Sequence, residues 1–298
     1  MTTTATPSSD VIKAQQRAGW GGQAQQWYAQ LEVIERQWST LSEGLLDLAR
    51  VTTGDRVLDL ACGAGDPALA AAARIGPAGT VIASDISPDM LAFAAQRATA
   101  AGLTNIEIHE MDAEAIDLPD ASIDVVLCRL GLMFLPDLDR ALAGVHRVLV
   151  PGGRFATAIP WRPAGHAVST LVGTILDALD LPAPPAAAPG HPGIFSLADA
   201  SHTCAGLERS GLVDIHIAPC TVTHEYRDAD EWIDFLLALN VPLRQLLSGL
   251  PQERIDHARH AAAEAAQRYA DPDGHIRFLG HYYYATAIRS AHRTASTS

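Results

Sequence analysis

Lysine is almost absent from this chain. Lys13 is the only one among 21 basic residues, which face 34 acidic residues and leave a formal charge of −13. A protein that neutralises phosphates needs a basic face, so this balance argues against nucleic acid as a partner. Cysteine is scarce too. The four (Cys62, Cys128, Cys204 and Cys220) are far apart and form no CxxC pair. That argues against a zinc ribbon or a disulfide framework and fits a reducing, cytoplasmic setting. No apolar run approaches the roughly 20 residues of a membrane helix, so no membrane anchor is expected. Residues 1–10 are Thr/Ser-rich and uncharged until Asp10, unlike a signal or transit peptide, and are expected to form a disordered tail.

What is present suits an enzyme core. The hydrophobic content of 48% over 298 residues supports one large domain with insertions. Residues 11–50 predict a helical cap in two pieces, broken at Trp20-Gly-Gly. Its apolar positions Trp27, Leu31, Ile34, Trp38, Leu41 and Leu45 recur at helical spacing. Strands and helices then alternate over residues 51–160. Strands are expected at 56–60, 80–84, 106–111, 123–128 and 154–159. Asp66-Pro67 and Ser87-Pro88 read as helix starts, and Pro151-Gly152-Gly153 as a hard stop. Such alternation implies a parallel sheet covered on both faces.

Residues 161–227 loosen into a loop or lid, proline-rich over 181–193, before a strand at 213–222 completes the sheet. Residues 228–270 predict two helices, 228–247 and 252–269, as an insertion between the last two strands. Residues 271–298 hold the last strand, at 276–288, and a tail. The fold class is therefore α/β: a Rossmann-like, doubly wound, seven-stranded sheet, mostly parallel with an antiparallel last strand, plus the helical insertion.

The motif Val57-Leu-Asp-Leu-Ala-Cys-Gly-Ala-Gly65 runs an apolar strand into a glycine turn. Gly63-x-Gly65-x-x-Ala68 formally matches a dinucleotide fingerprint. Asp59, four residues before Gly63, would repel a pyrophosphate and welcome a cofactor with a cationic end. Asp85 ends the second strand. Asp112 follows the third, where it can accept from an adenine amino group. These features point away from NAD and towards a smaller nucleoside-bearing cofactor at the carboxyl edge of the sheet.

On VLDLACGAG, VIASDISPDML, MDAEAIDLPDASIDVV and HRVLVPGGRF, residues 51–160 resemble class I S-adenosylmethionine-dependent methyltransferases of the ubiquinone/menaquinone-biosynthesis-like group. The resemblance implies S-adenosyl-L-methionine as cofactor. It places Asp59, Gly63 and Gly65 at the methionine and ribose side, and Asp85 on the ribose hydroxyls. Ile86 and Met90 would pack on the adenine face, and Asp112 with Ala113 would read the adenine edge. Cys128 and Arg129 would lie near the sulfonium, with Arg129 alternatively on the acceptor. The wider class has glycine where this chain has Ala61, whose methyl is tolerated at negative φ.

The activity implied is methyl transfer to oxygen or carbon of a hydrophobic or aromatic small molecule, such as a secondary metabolite or quinone precursor. Two alternatives stay open: a rearrangement (pericyclase-type) enzyme that binds the same cofactor, and a nicotinamide oxidoreductase. No metal is required. His166 and His191 are the candidate general bases. Trp20, Trp27, Tyr28, Met133 and Trp161 are candidate acceptor contacts, and the inserted helices offer a face for a homodimer.

Overall fold

The computed structural model describes residues 8–161, 167–182 and 191–291. Seven strands form one sheet: β1 Arg56–Leu60, β2 Thr80–Asp85, β3 Ile106–Glu110, β4 Ile123–Arg129, β5 Leu149–Pro160, β6 Leu212–Tyr226 and β7 Ile276–Arg289. Their order is β3-β2-β1-β4-β5-β7-β6. Strands β1 to β5 pair in parallel, and β7 enters antiparallel between β5 and β6. The expected fold class holds.

Alternation along the strands builds two cores. Leu58, Leu60, Val126, Phe155 and Ile159 pack on one face, and Val57, Val81, Val125 and Leu127 on the other. The second face is covered by α2 (Leu31–Leu48) and α3 (Ala68–Ile75), whose Leu41, Leu45 and Ile75 are fully buried. Strand order reverses between β1 and β4, the point at which open α/β sheets hold their ligands in a crevice outside the carboxyl ends. That crevice positions the site.

Several boundaries differ from expectation. Helix α1 (Ser9–Ala29) runs unbroken through Gly21 and Gly22, and the break falls at Gln30. The glycine serves contact, not chain reversal: a Cβ on Gly21 would meet Asp89 Oδ2 at 2.6 Å. Only residues 1–7 of the expected tail lie outside the described residues, because the helix already includes Ser9 and Asp10.

At the second motif helix, Ser87 caps α4 (Pro88–Ala100) as expected, accepting from the Met90 N–H. Asp66 does not cap α3, which starts at Ala68 without a side-chain cap; its carboxylate turns to Arg129 instead. Strand β5 starts at Leu149, opposite Ile123, and continues through the glycines after a register shift. The expected helix 228–247 is two, α8 (Ala229–Leu239) and α9 (Val241–Ser248), because the Asn240 side chain accepts from Leu243 N–H and starts a new helix.

The remaining helices are α5 (Leu138–Val148), α6 (Ala167–Ala178), α7 (Ala200–Arg209) and α10 (Gln252–Ala266). Helices α6, α8 and α10 form a third core with the ends of β6 and β7, centred on Trp232, Tyr226 and Phe278. Most of the predicted lid, residues 183–190, lies outside the described residues, as does His166. Among the described residues no helix is long and apolar enough to cross a membrane.

Candidate functional site

A cleft of about 1030 Å³, its mouth included, opens over the carboxyl ends of β1, β2 and β4. Small-molecule sites fall in the range of roughly 300–1,000 Å³. Its floor holds Ala61, Gly63, Asp85, Ile86, Met90, Asp112 and Ala113, so these predicted positions come together in one place.

Asp85 is the best-held of them. Gly63 N–H donates to its Oδ2 and Ser87 N–H to its Oδ1, each at 2.9 Å. Burial pushes its pKa up, and the amides of Ser87, Gly63 and Ile86 pull it back. The result is a rigid carboxylate with lone pairs left over for hydroxyl donors. Gly63 sits at φ +55°, and a Cβ there would meet Met90 Cε at 3.3 Å. Ala61 departs from expectation. It takes φ +56°, the left-handed region, because the turn after β1 demands that conformation whatever the side chain.

Asp112 is also fixed. Its Oδ1 accepts from Glu114 N–H at 2.9 Å and its Oδ2 from Lys13 Nζ at 2.8 Å. Asp112 in turn raises the Lys13 pKa, chiefly through that hydrogen bond. Lys13 also stands 3.3 Å from Glu114, whose side chain is 1% exposed. Helix α1 is thus pinned across the Asp112 end of the cleft by the chain's only lysine.

Other predicted site residues lie elsewhere. Asp59 is fully buried beneath the floor, and neither carboxylate oxygen finds a hydrogen-bond partner. Loss of hydration drives its pKa well above the carboxylate range, opposed by the Arg129 charge. Gly65 does not line the cleft; at φ +102°, it makes room for Ala94, 3.2 Å from a Cβ built on it. Cys128 is buried under Gly131, where a Cβ would come within 2.8 Å of its Sγ; burial pushes its thiol up and leaves it inert.

Tyr28 points away and stacks on Phe93 at 4.2 Å. Trp161 packs edge-on against Tyr283, 6.3 Å between centroids. Met133 is buried, and its carbonyl accepts from Gly193 N–H and Ser196 Oγ, tying down the segment after the proline-rich stretch. His191 is half-buried and is not among the described residues that line the cleft. None of the described residues of the inserted helices lines the cleft; their apolar faces pack on α6, on the strand ends and on the outer side of the roof at Ile34 and Trp38.

The roof is α1 and α2. Trp20 and Trp27 line it, together with Leu31, Ile34 and Trp38. These last three carried a signal, the helical spacing of the cap. Lys13 and Asp66 were missed, since nothing local marks a residue that reaches across the fold. Arg129 ends β4 at the inner wall, its Nη1 2.8 Å from Asp66 Oδ2. Asp85 held by backbone amides, a Cβ-free cradle at Gly63 and the apolar side chains of Ile86 and Met90 form a donor set that fits an adenosyl group.

Comparison with known proteins agrees with this geometry. Residues 57–153 match the sequence profile of a family described as "Methyltransferase domain". Aklanonic acid methyltransferase DauC of Streptomyces sp. (strain C5) is 39% identical over 128 residues, 43% of this chain and 58% of that protein. A demethylmenaquinone methyltransferase of Listeria monocytogenes is 39% identical over 111 residues, 37% of this chain and 47% of that protein. The chain spans about half the length of the curated relatives it matches. Among solved structures, YcgJ of Bacillus subtilis superposes with a TM-score of 0.55 at 23% identity, covering 84% of this chain and 99% of its own. The 4+2 cyclase SpnF superposes at 0.52 and 20% identity, covering 85% and 82%. Likeness at these identities establishes the fold.

Proposed function

We propose that this chain, whose residues 57–153 belong to the methyltransferase domain family, is an S-adenosylmethionine-dependent methyltransferase acting on a flat, hydrophobic small molecule. The observation that carries the proposal is Asp85, locked by the Gly63 and Ser87 amides at the crevice where strand order reverses. Asp85 would take the ribose hydroxyls. Asp112 and the Ala113 backbone would read the adenine edge, between Ile86 and Met90. Gly63 and Ala61 would flank the methionine side.

When bound, the cofactor supplies a methyl group already activated on a sulfonium. The chain's own work is then alignment and exclusion of water. Proximity and orientation can supply about 7–11 kcal/mol of such a barrier. The roof residues Trp20, Trp27 and Trp38 supply flat apolar walls against which a ring system can be held. The relatives named for aklanonic acid and demethylmenaquinone support an acceptor of this kind. A contribution from His166 or His191 as base belongs to the proposal, as does a cytoplasmic setting, which the four free thiols suit. A homodimer through the inserted helices is part of it too, and sedimentation velocity tests that.

The central test is calorimetry with S-adenosylhomocysteine, followed by mass spectrometry of a phenol, indole and quinone panel. Cofactor binding plus a mass gain of one methyl supports the proposal. Binding with a rearranged, unmethylated product favours the pericyclase alternative. Binding of NADH in place of S-adenosylhomocysteine refutes the proposal.

A further inference from the structure

The roof end of the cleft holds one unusual cation. Its walls, Trp20, Trp27, Trp38 and Phe134, are apolar, and two of the three indole donors are already used. Trp20 Nε1 donates to Gln16 Oε1 and Trp38 Nε1 to Tyr282 Oη, each at 3.0 Å. Among the described residues three cations line the cleft. Lys13 is committed to Asp112 and Glu114, and Arg97 to Glu35 and the Ala64 carbonyl.

Arg129 is different. Its side chain is 6% exposed. Nη1 faces Asp66 and donates to Ser42 Oγ at 3.2 Å. Nε is buried with no partner, and Nη2 makes no hydrogen bond to a described residue. The guanidinium rests over the Trp38 ring, 5.6 Å from its centroid. A guanidinium carries five N–H donors in a rigid plane. Leaving some unclaimed in an apolar enclosure is costly unless a ligand claims them.

Resting on the methyltransferase reading above, we infer that Arg129 is a specificity-determining residue for an acceptor that presents an oxyanion on a flat apolar ring. Planar N–H pairs match carboxylate-like and phenolate oxygens better than any other group the cleft offers. Asp66 and Ser42 act as positioning residues that hold Nη1, and the residue itself lines the cleft. The step balances without a proton. The oxygen lone pair forms the O–CH3 bond as the S–CH3 bond breaks, and its electron pair stays on sulfur. An anion and a sulfonium become a neutral ether or ester and a neutral thioether. Methyl transfer then goes to oxygen, and an acceptor that arrives ionised leaves no proton for His166 or His191 to take, their role as base being confined to a protonated acceptor.

The test is calorimetry on the full chain saturated with S-adenosylhomocysteine. The probes are 2-hydroxy-1,4-naphthoquinone, 2-naphthoic acid and the neutral 2-methyl-1,4-naphthoquinone. At least one ionised probe should bind about tenfold or more tightly than the neutral one, the scale of a charge-assisted hydrogen bond. Which of the two does so separates a phenolate-type from a carboxylate acceptor. Arg129→Gln should abolish that preference while affinity for the neutral probe and for S-adenosylhomocysteine stays within about twofold. Arg129→Lys, which keeps the charge without the planar fork, should lower it about threefold or more and carries the test should the Gln variant not fold. Equal binding of all probes by the parent chain overturns the inference, as does a preference that survives both substitutions. So does an Arg129→Gln loss confined to S-adenosylhomocysteine, which would put Arg129 on the cofactor carboxylate. Failure of the parent chain to bind S-adenosylhomocysteine overturns the methyltransferase reading and this inference with it.

Discussion

The Gly63 N–H donates to Asp85 Oδ2 at 2.9 Å, joining the turn after β1 to the end of β2. One carboxylate therefore shapes the glycine turn and faces the cleft. Asp85→Ala should keep the fold, as circular dichroism would show, and weaken S-adenosylhomocysteine by about tenfold or more in calorimetry. Unchanged affinity would remove Asp85 from the ribose.

Asp59 makes stability depend on pH in an unusual direction. Its folded pKa is raised by burial, so the folded state binds the proton more tightly than the unfolded chain. Its contribution is fully present below the ordinary carboxylate value and is lost as pH rises from there towards the raised folded value. The slope is at most about 1.4 kcal/mol per pH unit. Asp59→Asn should flatten that decline and be more stable than the parent at pH 7. A denaturant series from pH 4 to 8 checks this, and a variant that tracks the parent curve would show Asp59 is charged and satisfied.

Two adjacent glycines of α1 should respond unequally. A Cβ on Gly22 meets nothing within 4 Å, so Gly22→Ala should stabilise by about 0.5–1 kcal/mol through helix propensity. A Cβ on Gly21 meets Asp89 Oδ2 at 2.6 Å, so Gly21→Ala should lose that gain and loosen the roof. Thermal melts of the two variants decide it.

Lys13→Met should release the roof at its Asp112 end. Glu114, with its side chain 1% exposed, would lose its cation and keep only its backbone and serine partners. The expected cost is about 1–3 kcal/mol of stability. S-adenosylhomocysteine should also leave faster in stopped-flow measurements, and an unchanged release rate would show that α1 is not a cover.

Legibility in the sequence followed the range of the interaction. The β-α alternation, the Ser87 cap and the antiparallel β7 are written in local periodicity and turn chemistry, so they could be read directly. Asp85 and Asp112 could be placed because one ends β2 and the other lies two residues past β3, at the same edge of a parallel sheet. The Lys13–Asp112 pair, 99 residues apart, has no local mark. Gly21-Gly22 misled because glycine signals both a break and a close approach, and only the Asp89 contact distinguishes them. Asp59 was placed at the site by its motif, yet strand packing put its side chain under the floor.

The single side-chain amine of this protein belongs to the cover of its own crevice. Reagents that acylate or alkylate lysine therefore have one internal target, and it is the fastening of α1. A fluorophore coupled there would serve as a gauge of opening and closing. For the same reason, sensor surfaces should capture the chain through thiols or a tag, because attachment through Lys13 would wedge the doorway.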